Sequence, residues 1–322
     1  MTPLSIAVEA AATAFAQARA LRRRGRDADA ILWFQEAVRR DPALGAASFE
    51  AGELCLWHGR SDEAERHLGD ALRWAAAAAC PGLPRPRQGT GKGVGAGGGM
   101  DPGAARTALF AALDTLAAAG IVAFLNGGTA LGCVREGDFI SFDSDIDLGV
   151  APGTEPDAVI EAIDAAPGLH YQYHDIHAGQ VLRVRFASED GIGGDVFLYQ
   201  CDAVGWWCGV QRGPTAIRWR DTPFALAETG FLGRTVLVPD PAERYLTENY
   251  GDWRRPDPFH VAAFSAPNLI GGYGALPRCA AYRAICLALL GGDPARARHL
   301  CREVLRRDAG DTVVADIVAA LA

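Results

Sequence analysis

Two runs decide how this chain folds: Asn126-Gly127-Gly128-Thr129 and, shortly after, Phe142-Asp143-Ser144-Asp145-Ile146-Asp147-Leu148-Gly149. Side chains alternate across a β-strand. Asp145 and Asp147 therefore fall on one face while Ile146 and Leu148 enter a core, and Asp143 precedes the strand on the acidic side. Clustered carboxylates raise one another's proton affinity unless a cation sits among them. A hard divalent ion, Mg2+ or Mn2+, suits such a set. A calcium loop would need Gly and Glu where Leu148 and Thr154 stand. Upstream, Ile121–Leu125 reads as a short buried strand, and Gly127-Gly128-Thr129 as a turn into a helix over 129–135. Glycines let a phosphate approach the backbone, and a helix start offers free amides. Gly127, Gly128 and Thr129 are therefore candidate phosphate contacts.

Working outward, Asp101-Pro102 reads as a helix cap followed by proline at the first helical position. Leu109, Phe110, Leu113 and Leu116 then recur on one helical face, and Gly120 ends the helix. A strand over 144–150 and a helix over 155–165 follow. Further strands are expected at 169–174, 180–187 and 194–200, then a strand-and-turn region to 238. Asp240-Pro241-Ala242-Glu243 reads as a capped helix start. The expected fold class is α+β (mixed α/β), a sheet with packed helices preceded by an all-α segment.

Residues 1–79 are Ala- and Arg-rich with helical periodicity. Ala30, Phe34, Ala37 and Pro42 match half of a tetratricopeptide pattern, and a 34-residue shift lands on Ala64, Leu68 and Ala71. Ala297, Cys301 and Val304 echo the same spacing near the C-terminal end. The expected organisation is a tetratricopeptide-like helical domain (1–79), a Pro/Gly-rich linker (80–100), a catalytic domain (101–260) and a C-terminal helical segment (261–322). Helical repeats of this kind mostly dock a protein partner.

Composition removes other classes. The 322 residues carry a net charge of −8, which argues against nucleic-acid binding. Lys92 is the sole lysine, inside the linker, so Schiff-base and Walker-lysine chemistry are excluded and phosphate must be held by arginine, amides or metal. Gly89-Thr90-Gly91-Lys92-Gly93 fails as a phosphate loop because Gly93 replaces the Ser or Thr that holds magnesium. None of the eight cysteines forms a CxxC pair, and neither a membrane-spanning run nor a secretory leader is read, so a cytoplasmic protein with reduced thiols is expected.

The block from Asn126 to Asp147 resembles the LicD family, which includes fukutin and fukutin-related protein, in its GGTLLGxxRxxxFIPWDxDID signature. Gly194-Asp195-Val196-Phe197 is similar to the family's third-carboxylate strand and Asn249-Tyr250-Gly251-Asp252-Trp253 to its late motif. Ser141-Phe142 replaces the usual Pro-Trp, and Ser144 stands where another Asp is common. The resemblance implies a nucleotidyltransferase-like sheet, metal ligation by Asp145, Asp147 and Asp195, and Asp195 as candidate base. It further implies transfer of a phospho-alcohol, of phosphocholine or polyol-phosphate type, from a CDP-linked donor to a glycan hydroxyl in cell-surface polysaccharide assembly. A nucleotidyltransferase acting on a small hydroxylated molecule, and a repeat-based adaptor with an inactive domain, are the alternatives.

Arginines complete the expected site. Arg183 and Arg185 lie two apart on a strand, on one face beside Asp195, where they could hold phosphate or pair with the carboxylates. Arg135 ends the helix after the glycine turn and is a candidate donor-phosphate contact, or else a cap for helix carbonyls. With Asp143 these are the remaining candidate binding residues. His170, His174 and His177 do not share a face, and Trp206, Trp207 and Trp219 are expected to be buried hairpin aromatics rather than a stacking platform.

Overall fold

The structure, a computed structural model, describes residues 3–78 and 99–321. The expected linker, with Lys92 and the Gly89–Gly93 run, lies almost wholly outside the described residues. In chain order the elements are α1 (Pro3–Arg22), α2 (Asp27–Arg40), α3 (Gly45–Trp57), α4 (Ser61–Ala78), α5 (Pro102–Ala118), β1 (Ala123–Leu125), α6 (Gly127–Arg135), β2 (Asp145–Val150) and α7 (Pro156–Asp164). Next come β3 (Leu169–His177), β4 (Gln180–Ser188), β5 (Gly193–Leu198), β6 (Gln200–Asp202), β7 (Gly205–Arg212), β8 (Thr215–Asp221), β9 (Ala225–Phe231) and β10 (Arg234–Asp240). The chain closes with α8 (Ala242–Tyr250), α9 (Ala262–Ser265), α10 (Ala275–Leu290), α11 (Pro294–Arg307) and α12 (Thr312–Ala320). The fold is mixed α/β, as expected.

Two compact units emerge. One comprises Met1–Gly93, Arg212–Pro214 and Tyr273–Ala322; the other Val94–Gln211 and Thr215–Gly272. The first is helical, and the C-terminal helices share it with the N-terminal ones, an arrangement that helical periodicity alone cannot reveal. Ala30, Phe34, Ala37, Ala64, Leu68 and Ala71 are all fully buried, as are Ala297, Cys301 and Val304. Helices approach closely here: a Cβ on Gly52 of α3 would come within 2.7 Å of Leu68 Cγ of α4. Helix α10 meets α4 through Arg278, whose Nη1 donates to Glu65 Oε1 at 2.9 Å.

The second unit is built on a five-stranded sheet in the order β1-β2-β5-β4-β3. Strands β2 and β5 are parallel; the other pairs are antiparallel. Alternation sorts the two faces. Ile146, Leu148, Val150, Leu182, Val184, Phe186 and Val196 are fully buried, and α5 and α7 lie against this sheet. Each large apolar side chain buried this way contributes about 2 kcal/mol. Helix α5 starts where expected: Pro102 opens it, and Asp101 accepts a hydrogen bond from Ala104 N. Gly120 ends it at φ +76°, a conformation suited to glycine. The remaining strands form a three-stranded sheet (β6-β7-β8) and a hairpin (β9, β10).

Several boundaries differ from expectation. Helix α6 begins at Gly127, two residues early. Strand β3 continues to His177 through register shifts that the residue pattern does not announce. Asp240 closes β10, and α8 starts after Pro241 with no side-chain cap, so the expected capping arrangement is absent. Trp207 and Trp219 are buried in the core, and the half-buried Trp206 packs edge-on against Phe224.

Candidate active site

The sheet face away from α5 and α7 carries the charged residues. Parallel pairing sets Asp147 directly opposite Asp195, while Asp145 lies opposite Gly193. Antiparallel pairing then sets Arg185 opposite Asp195 on the next strand, and Tyr173 and Asp175 of β3 opposite Arg185 and Arg183. One face therefore runs from carboxylates on β2 and β5 to guanidiniums on β4.

The arginines are engaged with the acids. Arg185 Nη1 donates to Asp145 Oδ2 and Asp195 Oδ2, both at 2.8 Å, and so spans two strands. Gly193 makes that reach possible, since a Cβ there would come within 2.4 Å of Arg185 Nη2. Arg183 Nη1 donates to Asp195 Oδ2 at 3.0 Å, and its Nη2 pairs with the buried Asp175 at 2.8 Å. Both arginines thus lie beside Asp195, as internal charge partners.

The glycine turn stands against the same cluster. Gly127 is at φ +47°, which costs an L side chain about 1–2 kcal/mol. A Cβ on Gly127 would also meet Asp147 Oδ2 at 2.5 Å, and one on Gly128 would meet Asp143 Oδ2 at 2.4 Å. The glycines admit the carboxylates to the start of α6. The amides, however, are not free for a phosphate in this structure: Gly127 N donates to Tyr245 Oη at 2.9 Å and Gly128 N to Asp147 Oδ2 at 3.0 Å. Thr129 is 1% exposed, and its hydroxyl accepts from Asp147 N at 2.9 Å. It holds β2 on α6. Arg135 donates to the Trp253 carbonyl oxygen at 3.1 Å and pairs with Glu136, so it ties α6 to the segment after α8. His174 Nδ1 lies 2.7 Å from Tyr171 Oη, outside the cluster.

Electrostatically the face is in deficit. Asp143, Asp145, Asp147, Asp175 and Asp195 meet two guanidiniums, Arg183 and Arg185, which leaves three uncompensated charges if all are ionised. Burial, followed by the charges of Asp145, Asp143 and Asp195, pushes the Asp147 carboxyl well up, against the pull of Gly128 N–H. Burial and Asp145 push Asp143 up to about 7. Burial raises Asp195 as well, opposed by its two arginines.

A divalent cation fits this donor set. Asp195 Oδ1 is buried without a hydrogen-bond partner, and hard oxygen donors in charge excess are what such an ion requires. Among the described residues these carboxylates do not close into a three-oxygen ligand set, and Arg185 bridges Asp145 and Asp195. Reasoning from sequence missed Asp175, Gly193 and Tyr245. The glycine pair before Asp195 was a usable signal for Gly193; the register shifts in β3 hid Asp175.

A family model described as LicD/FKTN/FKRP, nucleotidyltransferase domain, matches residues 120–240, which contain the whole cluster. Ribitol-5-phosphate transferase FKTN of Homo sapiens is 27% identical over 167 residues, covering 48% of this chain and 36% of that protein. The protein of the same name from Mus musculus is 27% identical over 156 residues, covering 47% and 33%. The match spans about a third of the length of these curated relatives. The resemblance read from residues 126–147 is borne out.

Proposed function

We propose, from a LicD-type domain at residues 120–240 as premise, that this protein is a metal-dependent phosphotransferase. It moves a phospho-alcohol, of polyol-phosphate or phosphocholine type, from a CDP-linked donor to a glycan hydroxyl. The observation that carries the reading is the register of Asp147 against Asp195, with Asp145 on the same face and the glycine turn in contact range. Asp145, Asp147 and Asp195 would hold Mg2+ or Mn2+, with Asp143 at the margin. Such an ion supplies charge neutralisation for the donor diphosphate.

The residues of the chain do the rest. Asp195 has both arginines on Oδ2, so only Oδ1 is open to an ion or to the acceptor proton. Arg185, once released from its bridge, carries a guanidinium suited to phosphate at the face where the donor would lie. The acceptor oxygen bonds to the phosphorus that bears the alcohol, the bond from that phosphorus to CMP breaks, and the acceptor proton passes to a carboxylate. The helical unit, with buried small residues at the 34-residue spacing, is read as tetratricopeptide-like repeats that dock a protein partner. Catalytic function is assigned to the span 101–260. Among the described residues no helix is long and apolar enough to cross a membrane. A role in cell-surface polysaccharide assembly, and a cytoplasmic location, belong to the same proposal.

The relatives' ribitol 5-phosphate makes CDP-ribitol the first donor to try, followed by CDP-choline. The expected result is CMP release that needs Mg2+ or Mn2+ and a glycan acceptor, and that disappears in Asp147→Asn. Pyrophosphate release from a nucleoside triphosphate, with no CMP from any CDP-alcohol, would overturn the reading in favour of nucleotidyl transfer.

A further inference from the structure

Behind the glycine turn, a chain of hydrogen bonds leads to a carboxylate that the proposed chemistry does not use. Asp221, at the end of β8, is 1% exposed. Its Oδ1 accepts from Asn249 Nδ2 at 2.7 Å and Asn268 Nδ2 at 3.1 Å, and its Oδ2 lies 3.0 Å from Tyr199 Oη. Tyr199 Oη is equally 3.0 Å from Asn126 Oδ1. Tyr245 Oη donates to that same Asn126 oxygen at 2.7 Å and accepts Gly127 N–H at 2.9 Å. The path Asp221–Tyr199–Asn126–Tyr245–Gly127 is thus continuous and ends at the turn beside Asp147.

A phenol has one proton to give. Tyr199 can donate to Asp221 or to Asn126, not to both at full strength. An ionised Asp221 is the stronger acceptor and takes that proton, leaving Asn126 Oδ1 to Tyr245 alone. A protonated Asp221 donates to Tyr199 Oη instead, and Tyr199 turns its proton to Asn126. We propose that Asp221 is a positioning residue for the Gly127–Gly128 turn, acting through Tyr199, Asn126 and Tyr245.

The surroundings make both states reachable. Burial pushes the Asp221 carboxyl up to about 6, against the hydrogen bonds from Tyr199, Asn249 and Asn268 and with added repulsion from Glu248. Cys208, Tyr245 and Tyr250 are the other titratable groups within its field, all of them held neutral by burial. Arg220 on the same strand is turned to Asp202 and supplies no counter-charge at the carboxyl. Asp221 also borders a solvent-open cavity of about 470 Å³, shared with Thr222, Glu248 and Asn268. The functional weight of the turn rests on the phosphotransfer reading; the coupling itself does not.

Gly127 is the only glycine that follows an asparagine, so asparagine labelled at its carbonyl carbon and glycine labelled with nitrogen-15 give one resolved amide signal in the full chain. That amide is followed from roughly pH 5 to pH 8 in wild type, Asp221→Asn and Tyr199→Phe. The wild-type signal is expected to inflect near 6. Both variants should lose this inflection while keeping any inflection that comes from the carboxylate cluster. Identical curves in all three proteins would overturn the inference. A second arm measures affinity for CDP with Mn2+ at the two ends of the range. Wild type should change on the order of fivefold more than Asp221→Asn, which mimics the neutral acid and keeps only the change that comes from the carboxylate cluster. Should wild type bind neither probe, the phosphotransfer reading fails while the amide titration still decides the coupling.

Discussion

Two acidic places in the same unit are built on opposite plans. At Asp221 every carboxylate oxygen meets donors from neutral side chains, Tyr199 on one and Asn249 with Asn268 on the other. At Asp143, Asp145, Asp147 and Asp195 the acids face one another, two arginines cover part of the charge, and Asp195 Oδ1 is left without a partner. A carboxylate that acts only through its neighbours is saturated by them. One that must accept a ligand is kept short of donors, and the molecule bears the electrostatic cost. That contrast, more than the number of acids, is what supports the proposal of the second place as the working site.

The largest expected effect tests the unsaturated side. Asp147→Asn should lower CMP release by on the order of 1,000-fold, as loss of a group that acts in a unit does. It should also raise thermal stability, because it removes a buried charge pushed up by burial and three acidic neighbours; a melting curve reads this directly. A variant both inactive and destabilised would mean that Asp147 acts through the groups packed on it, as Asp221 does.

Next in size is Arg185→Gln, which strips the bridge between Asp145 and Asp195. The expected loss without metal is about 2 kcal/mol, since a half-buried pair loses its counter-charge, measured by denaturant unfolding. Mn2+ should then restore more stability to this variant than it adds to wild type. Equal responses would show that the ion does not compete with the guanidinium for the same oxygens.

The saturated side predicts a slope instead. The Asp221 carboxyl is raised from 3.8 to about 6 in the folded protein. Its contribution to stability is therefore full below about pH 4 and is lost as pH rises through about 6. Asp221→Asn should remove that slope, at most about 3 kcal/mol, matching wild type below about pH 4 and exceeding it near pH 7. An unchanged slope would place the titration elsewhere.

The smallest effect sharpens the same contrast. Gly193→Ala places a methyl within 2.4 Å of the Arg185 Nη2 position. The end of a flexible side chain can yield, so stability should fall by only about 1 kcal/mol. Mn2+ affinity should rise, because the bridge is loosened. A fall in affinity would indicate that Arg185 helps to shape the ligand set.

The residues differ in how far they could be read from sequence, and for physical reasons. The faces of Asp145, Asp147, Arg183 and Arg185 follow from strand alternation, a local rule, and the glycine turn with its helix follows from residue type. What the turn does was only half legible. The need for glycine could be seen, but its amides are taken by Asp147 and by Tyr245, and a partner more than a hundred positions away leaves no local pattern. The tertiary partners of Arg135 and Thr129, the Trp253 carbonyl and the Asp147 amide, leave no local pattern either. The Asp221 network gathers residues from 126 to 268, each unremarkable alone. Packing of α10 on α4 is likewise invisible to periodicity, which reports that a face is apolar and not what covers it.

The most direct test is calorimetric titration of Mn2+ into the full chain with CDP present, in wild type and Asp147→Asn. Saturable binding in wild type, weakened at least on the order of 100-fold in the variant, is the result predicted here. Superimposable titrations would contradict it, because the acids on β2 and β5 would then have no part in holding an ion.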